Sequence, residues 1–86
     1  MEKEFWRLSQ VMLGETVRVQ HLLAQGAIRR RLRDLGVIEG TKIQSLHRGP
    51  WGDPTAYEIR GSVIALREKD AANVIVEPVQ EVRSWD

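Results

Sequence analysis

The apolar residues of this chain occur in short runs, and this limits the possible fold more than any other feature. The longest aliphatic run is Val63-Ile64-Ala65-Leu66, whereas a membrane-spanning helix needs roughly 20 apolar residues. Glycine or proline soon follows most of the runs, and both residues interrupt regular structure. The pattern predicts a soluble domain of short strands that does not cross a bilayer.

The length of 86 residues allows one hydrophobic core, so we treat residues 1–86 as a single domain with a core at about residues 8–79. The chain has no cysteine, which fits a reducing compartment and excludes thiolate chemistry. Its acidic start lacks the pattern of a secretory signal, so we expect a cytoplasmic protein. The net charge of +1 predicts no general attraction to nucleic acids.

Five segments have the composition or the period-2 alternation of β-strands. The third strand is predicted to join the fourth through a two-residue turn at Gly61-Ser62. The second breaks strict alternation, which predicts a bulge or a strand that curls as barrel strands do. In chain order the segments are Val17–Leu23, Thr41–His47, Thr55–Arg60, Val63–Arg67 and Val74–Val76.

One amphipathic helix is predicted between the first two strands. Ile28, Leu32 and Leu35 recur at helical spacing among arginines, which places them on one face. Gly36 stands where a left-handed residue would end the helix, with Val37 placed for the hydrophobic contact of such a cap. Shorter helical turns are expected within Leu8–Met12 and within Glu68–Asn73, just before the last strand. The residues before Leu8 are expected to fray.

Three glycines therefore have structural explanations as caps or turns: Gly36, Gly40 and Gly61. Gly40 supplies the positive φ of a type II turn. Five short strands with little helix cannot cover both faces of an open sheet, so closure is the economical way to remove exposed edges. The expected fold is mainly β with one amphipathic helix, a small SH3-like β-barrel.

The loop between the second and third strands is the best candidate for partner binding. It comprises Pro50, Trp51, Gly52, Asp53 and Pro54, and its glycines and prolines cannot continue a ladder. An aromatic residue on such a loop is a typical interface anchor. The alternative, equally weighted, is that Trp51 folds back as a lid on the barrel end.

Two sets of basic residues invite other functions. Arg29, Arg30, Arg31 and Arg33 could bind phosphate, but a solvated helix face with an Arg30–Asp34 pair is favoured because the net charge is small. His21 and His47 are the two histidines. Without a nearby carboxylate cluster they are weak candidates for transition-metal binding; His21 shares the phase of the buried face of its strand. We predict no cofactor.

No catalytic motif is visible, since the chain lacks a Walker loop, a nucleophile elbow and a metalloprotease helix. An enzyme is therefore disfavoured.

The chain resembles the FeoA family in an ordered set of motifs. These are Leu32–Thr41, Gly52-Asp53-Pro54, Gly61, Ile64–Arg67 and Asp70-Ala71, with Leu8-Ser9 and Gly14-Glu15 upstream. Glu39, where the family often has proline, and Trp51 depart from the pattern.

This resemblance implies an SH3-like fold and a bacterial cytoplasmic protein that binds and modulates FeoB, a membrane transporter with a cytoplasmic GTP-binding domain. FeoA-like domains also form the C-terminal module of iron-dependent repressors. A regulatory module of that kind and a small nucleic-acid-binding barrel are the alternatives, although the aromatic residues form a poor stacking platform. A homo-oligomer is also possible.

Overall fold

The computed structural model describes residues 5–79 of the chain. These residues form one antiparallel sheet in the strand order β1-β6-β2-β3-β4-β5. The strands are β1 (Trp6–Arg7), β2 (Thr16–Leu22), β3 (Lys42–Arg48), β4 (Thr55–Ile59), β5 (Ser62–Leu66) and β6 (Val74–Pro78). A 3-10 helix spans Leu8–Gln10, α1 spans Gly26–Asp34 and α2 spans Glu68–Ala71.

The predicted class, mainly β with one amphipathic helix, is confirmed, but closure of the barrel is wrong. The sheet is open and ends at β1 and β5. It also has one strand more than predicted, because Trp6 and Arg7 pair with Val76 and Ile75 of β6. A two-residue strand has no local sequence signal, since its pairing depends on a strand far along the chain. The prediction that the residues before Leu8 fray is wrong for Trp6 and Arg7.

The core lies against one face of the sheet and is completed by the helices. Fully buried side chains on β2, β3, β4 and β6 pack with Leu8 of the 3-10 helix, Leu32 of α1 and Ala71 of α2. Burying a leucine or isoleucine contributes roughly 1.5–3 kcal/mol. The aliphatic strand residues that are less than 2% exposed are Val17, Val19, Ile43, Ile59, Val74 and Val76.

Two register irregularities bend the strands around this core. The predicted bulge in β3 is confirmed, because the pairing with β4 shifts between Ser45 and His47. A second shift occurs in β2 between Val19 and His21. A bulge reverses the alternation of side chains beyond it, and His21 is consequently exposed. The inference that His21 shares the buried phase of Val19 is wrong.

The end of α1 confirms the predicted glycine cap. Gly36 has φ +100°; its N–H donates to Arg33 O at 3.0 Å, and Val37 N–H donates to Leu32 O at 2.9 Å. These two bonds define a Schellman motif. Leu32 and Val37 are both fully buried, so the hydrophobic contact that accompanies the motif is part of the core.

Of the two predicted turns, the one at Gly40 lies where it was predicted and the one between β4 and β5 is displaced by one residue. Gly40 has φ +89° and lies in the turn closed by a bond from Thr41 N to Ile38 O, as predicted. The β4–β5 hairpin is confirmed, but its turn is Arg60-Gly61, because Ile59 pairs with Ser62. Arg60 has φ 53° and Gly61 has φ 85°, the positive pair of a type I′ turn.

Ser45 is a polar residue inside the core. Its side chain is 1% exposed, and its Oγ has no hydrogen-bond partner among the residues that the structure describes. A buried, unsatisfied hydroxyl costs about 1–3 kcal/mol.

We therefore expect Ser45→Ala to raise the free energy of unfolding by about 1 kcal/mol, since alanine removes the unpaired hydroxyl with little loss of volume. Urea denaturation measures this change, and the slope of the transition should stay the same. Ser62→Ala, at an exposed strand position, is the control and should change little. A destabilised Ser45→Ala variant would contradict the prediction.

Candidate functional site

The loop between β3 and β4 is closed by two backbone hydrogen bonds. Gly52 N–H donates to Gly49 O at 2.9 Å, and Gly49 N–H donates to Pro54 O at 2.8 Å. Pro50 and Trp51 are the central residues of the first turn, and proline is favoured at the first central position. A side chain on Gly49 would approach the carbonyl oxygen of Pro54 to 3.3 Å. The tight closure of the loop thus depends on its glycines.

Trp51 stands at the tip of this loop with 92% of its surface exposed. The interpretation of Trp51 as a lid on the barrel end is therefore wrong. Pro50, Gly52, Asp53 and Pro54 are exposed as well. Because the backbone of this turn is held by hydrogen bonds, binding of a partner to Trp51 needs little further ordering of the main chain. Partner binding by Pro50–Pro54 remains a prediction.

Asp53 connects the loop to α2. Its Oδ1 accepts a hydrogen bond from Glu68 N–H at 2.8 Å, and Glu68 is the first residue of the helix. Beneath the loop, burial raises the pKa of Tyr57; Asp53 and Glu68 raise it further, whereas a Thr55 hydrogen bond and Arg48 oppose the shift. Asp53 thus joins the loop to α2 by a hydrogen bond, a structural role that the partner-binding prediction did not include.

We expect Asp53→Ala to lower the free energy of unfolding by about 1 kcal/mol, because the Glu68 N–H loses its acceptor oxygen. Asp53→Asn keeps an acceptor oxygen and should lose less, so the pair separates the hydrogen bond from the charge. Thermal denaturation of the three proteins checks this. Equal melting temperatures for all three would contradict the prediction.

The arginines of α1 do not act as one group. Arg31 Nη2 lies 2.5 Å from Asp70 Oδ2, and the Asp70 side chain is 6% exposed. Within residues 5–79 the ion pair of this helix is therefore Arg31–Asp70, and the predicted Arg30–Asp34 pair is wrong. Arg29, Arg30 and Arg33 are exposed, in agreement with a solvated face.

Among residues 5–79 the two histidines are not grouped with carboxylates in a metal site. His21 in β2 and His47 in β3 are both exposed. In the part of the chain that the structure describes, no group of three or more His, Cys, Asp or Glu side chains is placed to hold a metal ion. No helix there is long and apolar enough to span a membrane.

Sequence reasoning missed a second surface, a groove between α1 and β5. Ile28 was predicted to face the core, but it is 45% exposed and lines this groove with Leu35 and Ile64. The groove has a volume of about 490 Å³. Its apolar residues are visible in the sequence, but their exposure depends on β5 being the last strand of the sheet.

Comparison with known proteins identifies relatives of this chain. The FeoA domain model matches residues 6–78. The Fe(2+) transport protein A/Fe(2+) transporter FeoB fusion protein of Porphyromonas gingivalis is 31% identical over 71 residues. The match covers 83% of this chain and 8% of the fusion protein, so the chain corresponds to a small part of that relative.

Two solved structures of similar proteins support the fold. The FeoA-like protein from Clostridium acetobutylicum has a TM-score of 0.83 and 30% identity, covering 99% of this chain and 98% of the other. FeoA of Stenotrophomonas maltophilia, solved with zinc and described as a procaryotic SH3 domain protein, has a TM-score of 0.71 and 33% identity, with 80% and 86% covered. The SH3-like class predicted from the sequence is confirmed.

Proposed function

Since this chain belongs to the FeoA domain family, which matches it over residues 6–78, we propose that it serves ferrous iron transport by binding a FeoB-type membrane transporter. The observation that carries the proposal is the fusion protein of Porphyromonas gingivalis, in which an Fe(2+) transport protein A is joined to FeoB. Fusion holds two modules at a high effective concentration. A module that is a separate chain must reach the same partner through non-covalent contacts.

An exposed loop supports the proposal that this chain recognises a partner protein. The loop Pro50–Pro54 presents Trp51 on a fixed turn, and tryptophan is enriched among residues that dominate binding energy. We propose that the chain modulates the transporter through such protein–protein contacts and performs no catalysis itself. In this function it would lie at the cytoplasmic face of the membrane, held there by its partner.

Co-purification tests the proposal. The full chain and a tagged FeoB-type transporter from the same organism are produced together, and the transporter is isolated in detergent. We expect the chain to be retained with the transporter, and its omission to change iron uptake by the transporter in vesicles. The rate of GTP hydrolysis, measured on the same samples, shows whether the modulation acts on the GTP-binding domain.

A control separates specific from adventitious retention. An unrelated SH3 domain of similar size and charge should not be retained by the transporter. If the chain is not retained, and iron uptake is the same with and without it, the proposed function is wrong.

A further inference from the structure

The outer edge of β5 carries backbone groups that the sheet does not use. Ile59 and Ser62 flank a two-residue turn and form a hydrogen-bonded pair, and hydrogen-bonded pairs alternate along an antiparallel ladder. The N–H and C=O groups of Val63 and Ala65 therefore point away from β4. Among the backbone hydrogen bonds of residues 5–79 outside the sheet ladder and helices, none involves these groups.

This edge also lacks the usual protection against pairing with another strand. Natural edge strands are commonly shortened, bulged, charged or interrupted by proline. β5 has the sequence Ser-Val-Ile-Ala-Leu and pairs with β4 in continuous register over all five residues. The opposite edge, β1, has only two residues. The two ends of the sheet therefore differ, and β5 is the end that can accept a strand.

An apolar groove lies beside the same edge. A strand added to β5 would direct alternate side chains to the side of Ile64, where Ile28 and Leu35 of α1 line the groove. Ile28 is 45% exposed. The volume of about 490 Å³ accommodates aliphatic side chains. The groove thus favours an incoming segment with apolar residues at every second position.

The charges around the groove favour an acidic segment. Four charged residues line the groove: Arg31, Arg67 and Lys69 are basic, and Asp70 is acidic. Arg31 and Asp70 form an ion pair with each other. Arg67 and Lys69 are both exposed. Apart from the Arg31–Asp70 pair, the groove is therefore lined by two cations, and the exposed Glu68 between them in sequence is not a lining residue. Complementary charge on a partner increases both specificity and the rate of association.

We infer that the edge of β5 and the α1–β5 groove bind an extended, acidic segment of a partner protein, in which apolar and acidic residues alternate. The segment adds a seventh strand to the sheet, its backbone bonds to Val63 and Ala65, and its carboxylates lie near Arg67 and Lys69. The loop Pro50–Pro54 is next to the same end of the strand, because Thr55 pairs with Leu66 and Asp53 bonds to Glu68. Trp51 and the β5 edge therefore belong to one region.

This inference rests on the proposed function for the identity of the partner, but its test does not need the transporter. The probe is a short synthetic peptide of alternating valine and glutamate, added to the full chain. Hydrogen exchange followed by NMR should show new protection of the Val63 and Ala65 amides. The neighbouring amides of Ile64 and Leu66, which face β4, should change little.

Two matched peptides and two protein variants identify the mode of binding. N-methylation of alternate peptide amides removes the backbone bonds and should weaken binding at least ~tenfold. A peptide with lysine in place of glutamate should also lose binding. The double variant Arg67→Glu, Lys69→Glu should bind the valine–glutamate peptide weakly, whereas Lys42→Glu in β3 should bind it normally.

Three other results would overturn the inference, and a fourth would overturn the proposed function alone. Equal affinity of the N-methylated peptide would exclude strand addition. Protection of Val63 and Ala65 that grows with protein concentration, without peptide, would identify a second copy of the chain as the occupant. Binding of the chain to the transporter without any response of the β5 edge would leave the proposed function standing and refute this inference. The peptide response without transporter binding would refute only the proposed function.

Discussion

Trp51→Ala is expected to weaken binding of the chain to a FeoB-type transporter by roughly 30-fold or more, the effect of losing an interface residue worth about 2 kcal/mol. The physical reason is the position of the side chain. Trp51 is 92% exposed on a turn closed by two backbone hydrogen bonds, so its side chain contributes little to the core and its backbone is already held in place for contact. The melting temperature should remain within a few degrees of that of the unchanged chain.

The measurement is a titration of the purified cytoplasmic part of the transporter with each variant, accompanied by thermal denaturation. Met12→Ala is the matched control, since Met12 is another large exposed apolar residue, 70% exposed, on a different loop. Loss of binding in both variants would indicate general adhesion of apolar surface. Unchanged affinity of Trp51→Ala would show that the loop is not the anchor.

The sequence could predict the features of the fold that depend on residues close together along the chain. The Schellman cap at Gly36 needs only a helical pattern, a glycine and an apolar residue after it, and it formed as predicted. The β4–β5 hairpin was also predicted, but its turn was displaced by one residue. Glycine marks positive φ reliably, whereas Arg60 adopts φ 53° without a signal in its residue type.

Other features depend on strands that meet only in the folded chain. The bulge at Gln20 turns the His21 side chain to the opposite face of the sheet. Nothing in the alternation of β2 indicates this bulge. The openness of the sheet could not be predicted either, because closure was inferred from the general cost of exposed edges. The same feature explains why the β5 groove was missed: Ile28 has the spacing of a core residue, but the sheet ends before it is covered.

The candidate loop illustrates both cases. Its composition was sufficient to predict an irregular segment with an accessible aromatic residue. The hydrogen bond from Glu68 N–H to Asp53 joins positions 15 residues apart, and it makes Asp53 a structural residue of the loop. Arg31 similarly pairs with Asp70, 39 residues away, in preference to an acidic residue one turn along its own helix.

Gly36→Ala should produce a large loss of stability, about 2–4 kcal/mol. Part of the loss is the cost of a side chain at φ +100°, roughly 1–2 kcal/mol. The rest comes from contact, because a Cβ on Gly36 would lie 3.0 Å from Arg60 Cδ and 3.3 Å from Ile59 Cγ2. The arginine can move, but Ile59 is buried in the core, where overpacking costs typically 1–3 kcal/mol.

Gly40→Ala separates these two contributions. Gly40 has a similar φ of +89°, but a Cβ there meets nothing within 4 Å, so only the backbone cost of about 1–2 kcal/mol should appear. Urea denaturation of both variants gives the difference directly. Arg60→Ala combined with Gly36→Ala should recover little stability if Ile59 is the obstacle. Equal losses for Gly36→Ala and Gly40→Ala would mean that α1 can shift away from β4, and that the helix is less firmly seated than its buried Leu32 implies.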